Sequence, residues 1–293
     1  MDKKKIMIDL KYAMRFLPDE FYVKLYYRLR VKRKLNLKNP ETYNEKLQWL
    51  KFNDRDPFYS IIVDKYEVRK VIAREIGEKY LIPLVGVWDS FEQIDFSKLP
   101  HKFVLKCNHD SGGFVICVDK EKFNIENAKK IIESSMKRNF YYVGREWQYK
   151  NIEPKIICEE FIGENDIPPT DYKISCFNGI VDNVMICYGR ETGTTKYYFF
   201  DKNWKLLRYN YWGKNAATNF TTPKPENMDE MFELAEKLSK EYYFARIDLY
   251  NVNGKVYFGE ITLCPNSGFD GNILSETDSL LGKKLRLPMI DYK

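Results

Sequence analysis

The segment Ala245-Arg246-Ile247-Asp248-Leu249-Tyr250, followed by Gly259-Glu260-Ile261-Thr262, constrains this chain more than any other. Both runs are apolar, β-branched or aromatic around the acids, and Asn253-Gly254 between them is a hairpin turn signal. The pattern therefore predicts two adjacent antiparallel strands that carry Asp248 and Glu260 close together. Carboxylates held that near repel each other, and a divalent cation is their usual stabiliser. Arg246 precedes Asp248 by two positions, so it leaves the strand on the same face. A cation site flanked by an arginine suits phosphate chemistry. The same residues would also make an ordinary hairpin with solvent-facing charges.

With 293 residues the chain is long enough for a core and more than one lobe. No apolar run approaches the ~20 residues that span a bilayer. The start reads as amphipathic helix rather than signal peptide. Six cysteines without a CxxC pair, and only two histidines, argue against structural zinc and against a disulfide scaffold. Cys107, Cys117, Cys158, Cys176 and Cys187 lie in strand-like apolar contexts and read as reduced core residues of a cytosolic protein.

Residues 1–34 hold the whole basic surplus of the chain, whose formal net charge is +6. Eleven Lys and Arg stand there against Asp2, Asp9, Asp19 and Glu20, interleaved with aromatic and apolar residues. Such a helix can lie on an anionic membrane or bind a polyanion, or it can pack on a core with a solvated basic face.

Helices are expected up to about residue 53, with Pro40 opening the one that carries Leu47, Trp49 and Leu50. One helix is expected from Asp56-Pro57 through Asp64, Lys65 and Arg69 to Gly77, putting Lys65 and Arg69 on one side. Residues 82–88 read as a short strand or extended link. Strands are expected at 103–107, 114–118, 155–161, 171–177, 181–188, 195–201 and 205–209. Helices are expected at 124–138 and 228–241. Blocks of strands and helices in this order indicate an α+β fold.

Other groups of residues carry possible chemistry. Lys106 ends a strand and is followed by Cys107-Asn108-His109-Asp110-Ser111-Gly112-Gly113, a small loop able to offer backbone N–H groups to phosphates or simply to turn the chain. Ile156 to Ile162 is a buried-type strand with the paired acids Glu159 and Glu160 near its end. Asp171 and Lys173 share one face of the next strand, as a salt bridge or as lining of a cleft.

The order of these blocks resembles the ATP-grasp superfamily. The blocks at residues 38–46, 63–69, 83–88, 106–113, 171–179 and 258–268 resemble its TupA-like branch, found among capsule and cell-surface polysaccharide genes. The resemblance covers roughly residues 35–285. It implies two α+β lobes clasping ATP behind an N-terminal helical extension: a basic helical region (1–58), a helix and linker (59–103), a lid subdomain (104–160) and a core with the metal site (161–293). It implies ATP and Mg2+ as cofactors. Lys65 and Lys106 would touch the phosphates, and the loop bearing His109, Ser111, Gly112 and Gly113 would close over them. Glu159, with the backbone of Glu160 and Ile162, would bind adenine, and Asp171 would hold the ribose. Lys173 would face phosphates or acceptor. Asp248 and Glu260 would ligate magnesium, and Arg246 would stabilise the transferred phosphoryl group or the tetrahedral intermediate. Thr262 stands where many ATP-grasp enzymes have a metal-binding asparagine, so either its hydroxyl or Asn266 is the third candidate ligand.

The expected activity is a carboxylate–amine ligase working through an acylphosphate, with a uronic acid or peptide carboxylate as substrate. The expected location is cytoplasmic, at the inner membrane face if residues 1–34 contact lipid or glycan; no nucleic-acid partner is expected. The rival readings are a glycosyltransferase using Asp54-Arg55-Asp56, and a non-catalytic module that binds nucleotide or polyanion. Asp56-Pro57 reads better as a capped helix start.

Overall fold

The computed structural model describes residues 3–189 and 194–288. Asp2 and the side chains of Lys3, Lys4 and Lys5, part of the charged N-terminal group, lie outside the description. In chain order the helices and strands are α1 (Lys3–Ala13), α2 (Asp19–Arg30), α3 (Tyr43–Asn53), α4 (Phe58–Val63), α5 (Val68–Glu75), β1 (Leu84–Trp88), β2 (Phe103–Cys107) and β3 (Phe114–Cys117). There follow α6 (Ile125–Met136), α7 (Tyr141–Gly144), β4 (Ile156–Glu160), β5 (Asp171–Phe177), β6 (Ile180–Tyr188), β7 (Lys196–Phe200) and β8 (Leu206–Leu207). The chain ends with α8 (Tyr211–Asn215), α9 (Met228–Ser239), β9 (Phe244–Val252), β10 (Lys255–Thr262) and α10 (Ser275–Lys284). The fold is α+β, as expected.

Two compact units form. One comprises Met1–Leu17 with Asp56–Pro169, the other Pro18–Arg55 with Thr170–Lys293. The lines drawn from the sequence at 58, 103 and 160 differ from this division, which parts the N-terminal helices between the units.

The first unit is built on an antiparallel sheet of order β1-β4-β2-β3. Alternation along β2 sends Phe103, Leu105 and Cys107 into a core shared with Ala128 and Ile132 of α6, and leaves Lys106 on the opposite face. The helix expected over 56–77 is broken. Asp64 leaves helical geometry, and its carboxylate accepts from the N–H groups of Tyr66 (2.8 Å) and Glu67 (3.2 Å). This local capping competes with continuation of the helix. Lys65 consequently sits in the turn before α5, not one helical turn below Arg69.

The second unit carries a sheet of order β10-β9-β5-β6-β7-β8, antiparallel throughout. One face, with Ile174, Cys176, Ala245, Ile247 and Leu249, is fully buried, and the Cys176 thiol donates to the Ala235 carbonyl of α9. On the other face Phe177 and Phe244 pack with Tyr43 of α3 at centroid separations of 5.1–5.8 Å. Further along that same face lie Arg246, Asp248 and Lys173. Helix α3 starts at Tyr43 rather than at Pro40. Thr42 caps it, and Glu45 returns the bond to the Thr42 N–H in a capping box. Of the strand expected over 205–209, only Leu206–Leu207 pairs.

Candidate functional site

The hairpin forms as its sequence demands. Asn253 and Gly254 both have positive φ (50° and 73°), and Lys255 pairs with Val252, which is the two-residue turn that Asn-Gly favours. Beyond it the register shifts by one between Phe258 and Glu260. Gly259 is the extra residue of this β-bulge. A Cβ there would lie 2.9 Å from the Asp248 carbonyl oxygen and 3.1 Å from the Tyr250 ring, so the tight approach requires glycine.

As a result three strands present charge in one row. Lys173 on β5 is opposite Asp248 on β9, and Asp248 is opposite Glu260 on β10. Arg246 is opposite Thr262 in the next row. Arg246 grips Asp248 with two bonds (Nε–Oδ1 2.6 Å, Nη2–Oδ2 2.8 Å) and reaches Glu260 Oε1 and Thr262 Oγ1, each at 3.1 Å. The Thr262 hydroxyl donates to Glu260 at 3.2 Å. Lys173 pairs with Asp248, and with Asp171 at 3.1 Å.

Among the described residues, the carboxylates of Asp171, Asp248 and Glu260 thus meet the two cations Lys173 and Arg246. Burial pushes the Asp248 carboxyl above its ordinary value while Arg246 and Lys173 pull it back. Burial works against the Lys173 ammonium, but Asp248, Asp171 and Glu260 together outweigh it and raise its pKa. Arg246 is held charged more firmly still, chiefly by Asp248. The side chain of Asp248 is 2% exposed and that of Glu260 39%, so the group opens to solvent on the Glu260 side. Among the described residues, no three His, Cys, Asp or Glu side chains form a ready cage for a metal. The oxygen donors of Asp248, Glu260 and Thr262 nevertheless fit magnesium, which binds through one or two carboxylates, keeps waters and takes further oxygens from substrate phosphates. Asn266 is exposed in a loop where Asn266, Ser267 and Gly268 are all left-handed (φ 51°, 54° and 67°). Gln48 and Lys51 of α3 hold that loop through the Ser267 carbonyl at 3.0 and 2.9 Å.

In the first unit, Lys106 bonds Glu159 at 2.6 Å from the adjacent strand. Arg69 takes the other oxygen of Glu159 at 3.0 Å and the Ile82 carbonyl at 2.8 Å. Glu159 lies ninety positions from Arg69, so this pairing is not legible in the local sequence. Glu160 is exposed at the strand end, its N–H donating to the Pro83 carbonyl at 3.1 Å, and Ile162 is half-buried just beyond.

The loop after Lys106 has a buried root and an exposed tip. Asn108 is the root. Its amide donates to Asp64 and to the Glu153 carbonyl, and its oxygen accepts from the Lys155 N–H at 2.7 Å. His109 is also buried, between the Asn108 side chain (3.2 Å) and the Arg138 carbonyl (3.1 Å), and burial lowers its pKa. Asp110 accepts from the Gly113 N–H at 3.1 Å and from the Ser135 hydroxyl. Lys65 donates through Nζ to the Asp110 carbonyl at 2.5 Å. Ser111 and Gly112 are exposed at the tip, with Gly112 at φ 116°. Asn108, Asp64 and Asp110 belong to blocks singled out in the sequence, but their role in holding the loop root was not read there. Asp56 spends its carboxylate on the Phe58 N–H (2.8 Å), as a helix-start residue does.

The profile of a family described as TupA-like ATPgrasp matches residues 45–286. No curated protein matches the chain. Among solved structures, D-alanine–D-alanine ligase from Bacillus anthracis aligns at 18% identity and TM-score 0.43, over 76% of this chain and 63% of that one. The same ligase complexed with ATP aligns at 15% and 0.46, over 97% and 90%. An L-amino acid ligase from Bacillus licheniformis aligns at 14% and 0.48, over 86% and 57%. The chain thus spans less than two thirds of the first and third of these.

Proposed function

The chain belongs to the TupA-like ATP-grasp family, and on that premise we propose that it is an ATP- and magnesium-dependent carboxylate–amine ligase of surface polysaccharide biosynthesis. The observation that supports this most is the row Lys173, Asp248, Glu260 with Arg246 beside it. Hard oxygen donors and two fixed cations on one sheet face are what phosphoryl transfer to a carboxylate requires.

In this reading Asp248 and Glu260 hold magnesium, with Thr262 or Asn266 as the further ligand. The ion, when bound, would neutralise phosphate charge. Lys106 and Lys65 hold the ATP phosphates, the tip Ser111-Gly112 covers them, and Glu159 recognises adenine, with Asp171 on the ribose. The substrate carboxylate, of a uronic acid or peptide, attacks the γ-phosphorus and ADP leaves. An amine then attacks the acyl carbon, phosphate leaves, and the amine gives up a proton as the amide forms. Arg246 stabilises the negative charge that gathers on the transferred group, and Lys173 faces the same oxygens. Both cations must shift part of their bonding from Asp248 to substrate oxygens as these arrive.

Thermal shift with ATP and with UDP-sugars, each with and without magnesium, tests the proposal. Magnesium-dependent stabilisation by ATP, diminished in Asp248→Asn, is expected, followed by ADP release in a screen of uronic acids and amines. Stabilisation by UDP-sugars alone would replace this reading with a glycosyltransferase at Asp54 and Asp56. A response to neither would leave a non-catalytic module.

A further inference from the structure

Helix α2 is apolar on two sides. Tyr22, Val23, Tyr26 and Tyr27 are buried at 0–7% exposure, and Tyr26 meets Phe269 edge-on at 4.8 Å. That side anchors the helix to its own unit. On the other side Phe21, Leu25 and Leu29, spaced by four, are 57%, 39% and 64% exposed. Residues so spaced form one ridge on a helix surface. Lys24 and Arg28, three positions after Phe21 and Leu25, make a second exposed ridge alongside it. Arg30, Lys32 and Lys34 continue the positive charge at and past the helix end, while Arg33 pairs with Asp278 at 3.9 Å. The acids of α2, Asp19 and Glu20, are confined to its first turn, where Glu20 pairs with Lys24 at 2.5 Å.

Large apolar side chains left in water in a row signify a surface meant to be covered. We propose that this face of α2 docks the protein on an anionic lipid surface, with Phe21, Leu25 and Leu29 entering the headgroup layer and Lys24, Arg28 and the basic residues beyond them pairing with lipid phosphates. Charge complementarity selects this occupant. An apolar ridge flanked by a basic one is the pattern of an interfacial helix, and each basic group near an anionic membrane adds to its attraction. The N-terminal charge noted in the sequence is thereby reduced to one helix face. α1 belongs to the other unit, where its Asp9 pairs with Arg138 at 3.1 Å. The proposal does not rest on the ligase reading, because none of these residues is assigned to nucleotide, metal or substrate.

The test uses the full chain, sedimented with phosphatidylcholine vesicles with and without phosphatidylglycerol. Point substitutions are preferred to truncation, since deletion would strip Tyr22 and Tyr27 from the core. Binding only to phosphatidylglycerol vesicles is expected, weakening as salt is added. It should fall about tenfold or more in Lys24→Glu with Arg28→Glu, and equally in Phe21→Ser, Leu25→Ser, Leu29→Ser. Thermal melts of both variants should match the wild type, because the substituted side chains are exposed. Absence of vesicle binding overturns the proposal. So does binding that survives the apolar substitutions, which would indicate a soluble polyanion site. A change of oligomeric state in the serine variant on sedimentation velocity would assign the ridge to a second copy and overturn it as well.

Discussion

Glu260 stands directly opposite Asp248, although the turn joining their strands would by its own register set Glu260 opposite Ile247. Up to Phe258, which faces Leu249, the ladder is regular. Gly259 then adds one residue, and Glu260 arrives on the charged face instead of the face covered by α9. Inserting one residue into one strand is the device that changes which side a strand presents.

This relationship predicts contrasting outcomes for two changes at one position. Gly259→Val forces a Cβ against the Asp248 carbonyl, so it should cost about 1–3 kcal/mol of stability and abolish magnesium-dependent stabilisation by ATP. Deleting Gly259 restores a regular ladder in which Glu260 still follows Phe258 opposite Asp248, so that stabilisation should persist. Thermal shift on the two variants checks this. Loss in both would mean that the bulge serves something other than the placement of Glu260.

The two acids themselves should differ. Asp248→Asn and Glu260→Gln should each lower ADP release by ~100-fold or more, the usual weight of one electrostatic group at a charged transition state. Only Asp248→Asn should also destabilise the fold by about 3 kcal/mol, because it leaves Arg246 and Lys173 poorly paired in a buried place. Urea titration beside a turnover assay separates the two effects. Equal stability loss in both variants would contradict the exposure of Glu260.

Lys106→Ala should weaken ATP binding about tenfold, the worth of one charge-assisted bond, without touching the magnesium dependence. Isothermal titration with ATP measures it. Unchanged affinity would confine Lys106 to its pairing with Glu159.

His109 gives a pH signature of the fold. Burial holds its pKa below the ordinary value, so it stays neutral in the folded chain while the unfolded chain can take up a proton. Above the unfolded value of about 6.5 both states are neutral and the residue contributes no slope. Below it the unfolded state gains protons first, and stability should fall with pH until the folded value is reached. In His109→Gln that part of the acid slope should vanish when denaturant midpoints are compared from pH 7 to 5. A slope identical to wild type would mean that His109 is accessible to protonation.

Strands were legible where alternation is unbroken. The strands expected at 103–107 and 171–177 form over those bounds. Asp248, Arg246 and Glu260 were recognised as one group because a two-residue turn and an i, i+2 spacing are local facts. Their neutralisation by Lys173 was less legible, since it depends on β5 pairing with β9 across seventy-five positions. The bulge was missed because hydrophobic pattern does not count residues across a turn. The break at Asp64 was missed because helical periodicity runs through it, and only the aim of one carboxylate at two N–H groups ends α4. His109 reads as a loop residue until the Arg138 carbonyl, twenty-nine positions later, comes to meet its ring.

The second unit is closed by the two ends of its sequence. Asn44 in α3 bonds Asp278 in α10 across 234 positions, and Lys46 reaches the Gly282 and Leu285 carbonyls. During synthesis, then, α2 and α3 emerge long before their partners exist. Residues 56–169 are made in the meantime, while Tyr43 waits for Phe177 and Phe244 and Tyr26 waits for Phe269. The nascent chain exposes these aromatic faces to aggregation throughout that interval.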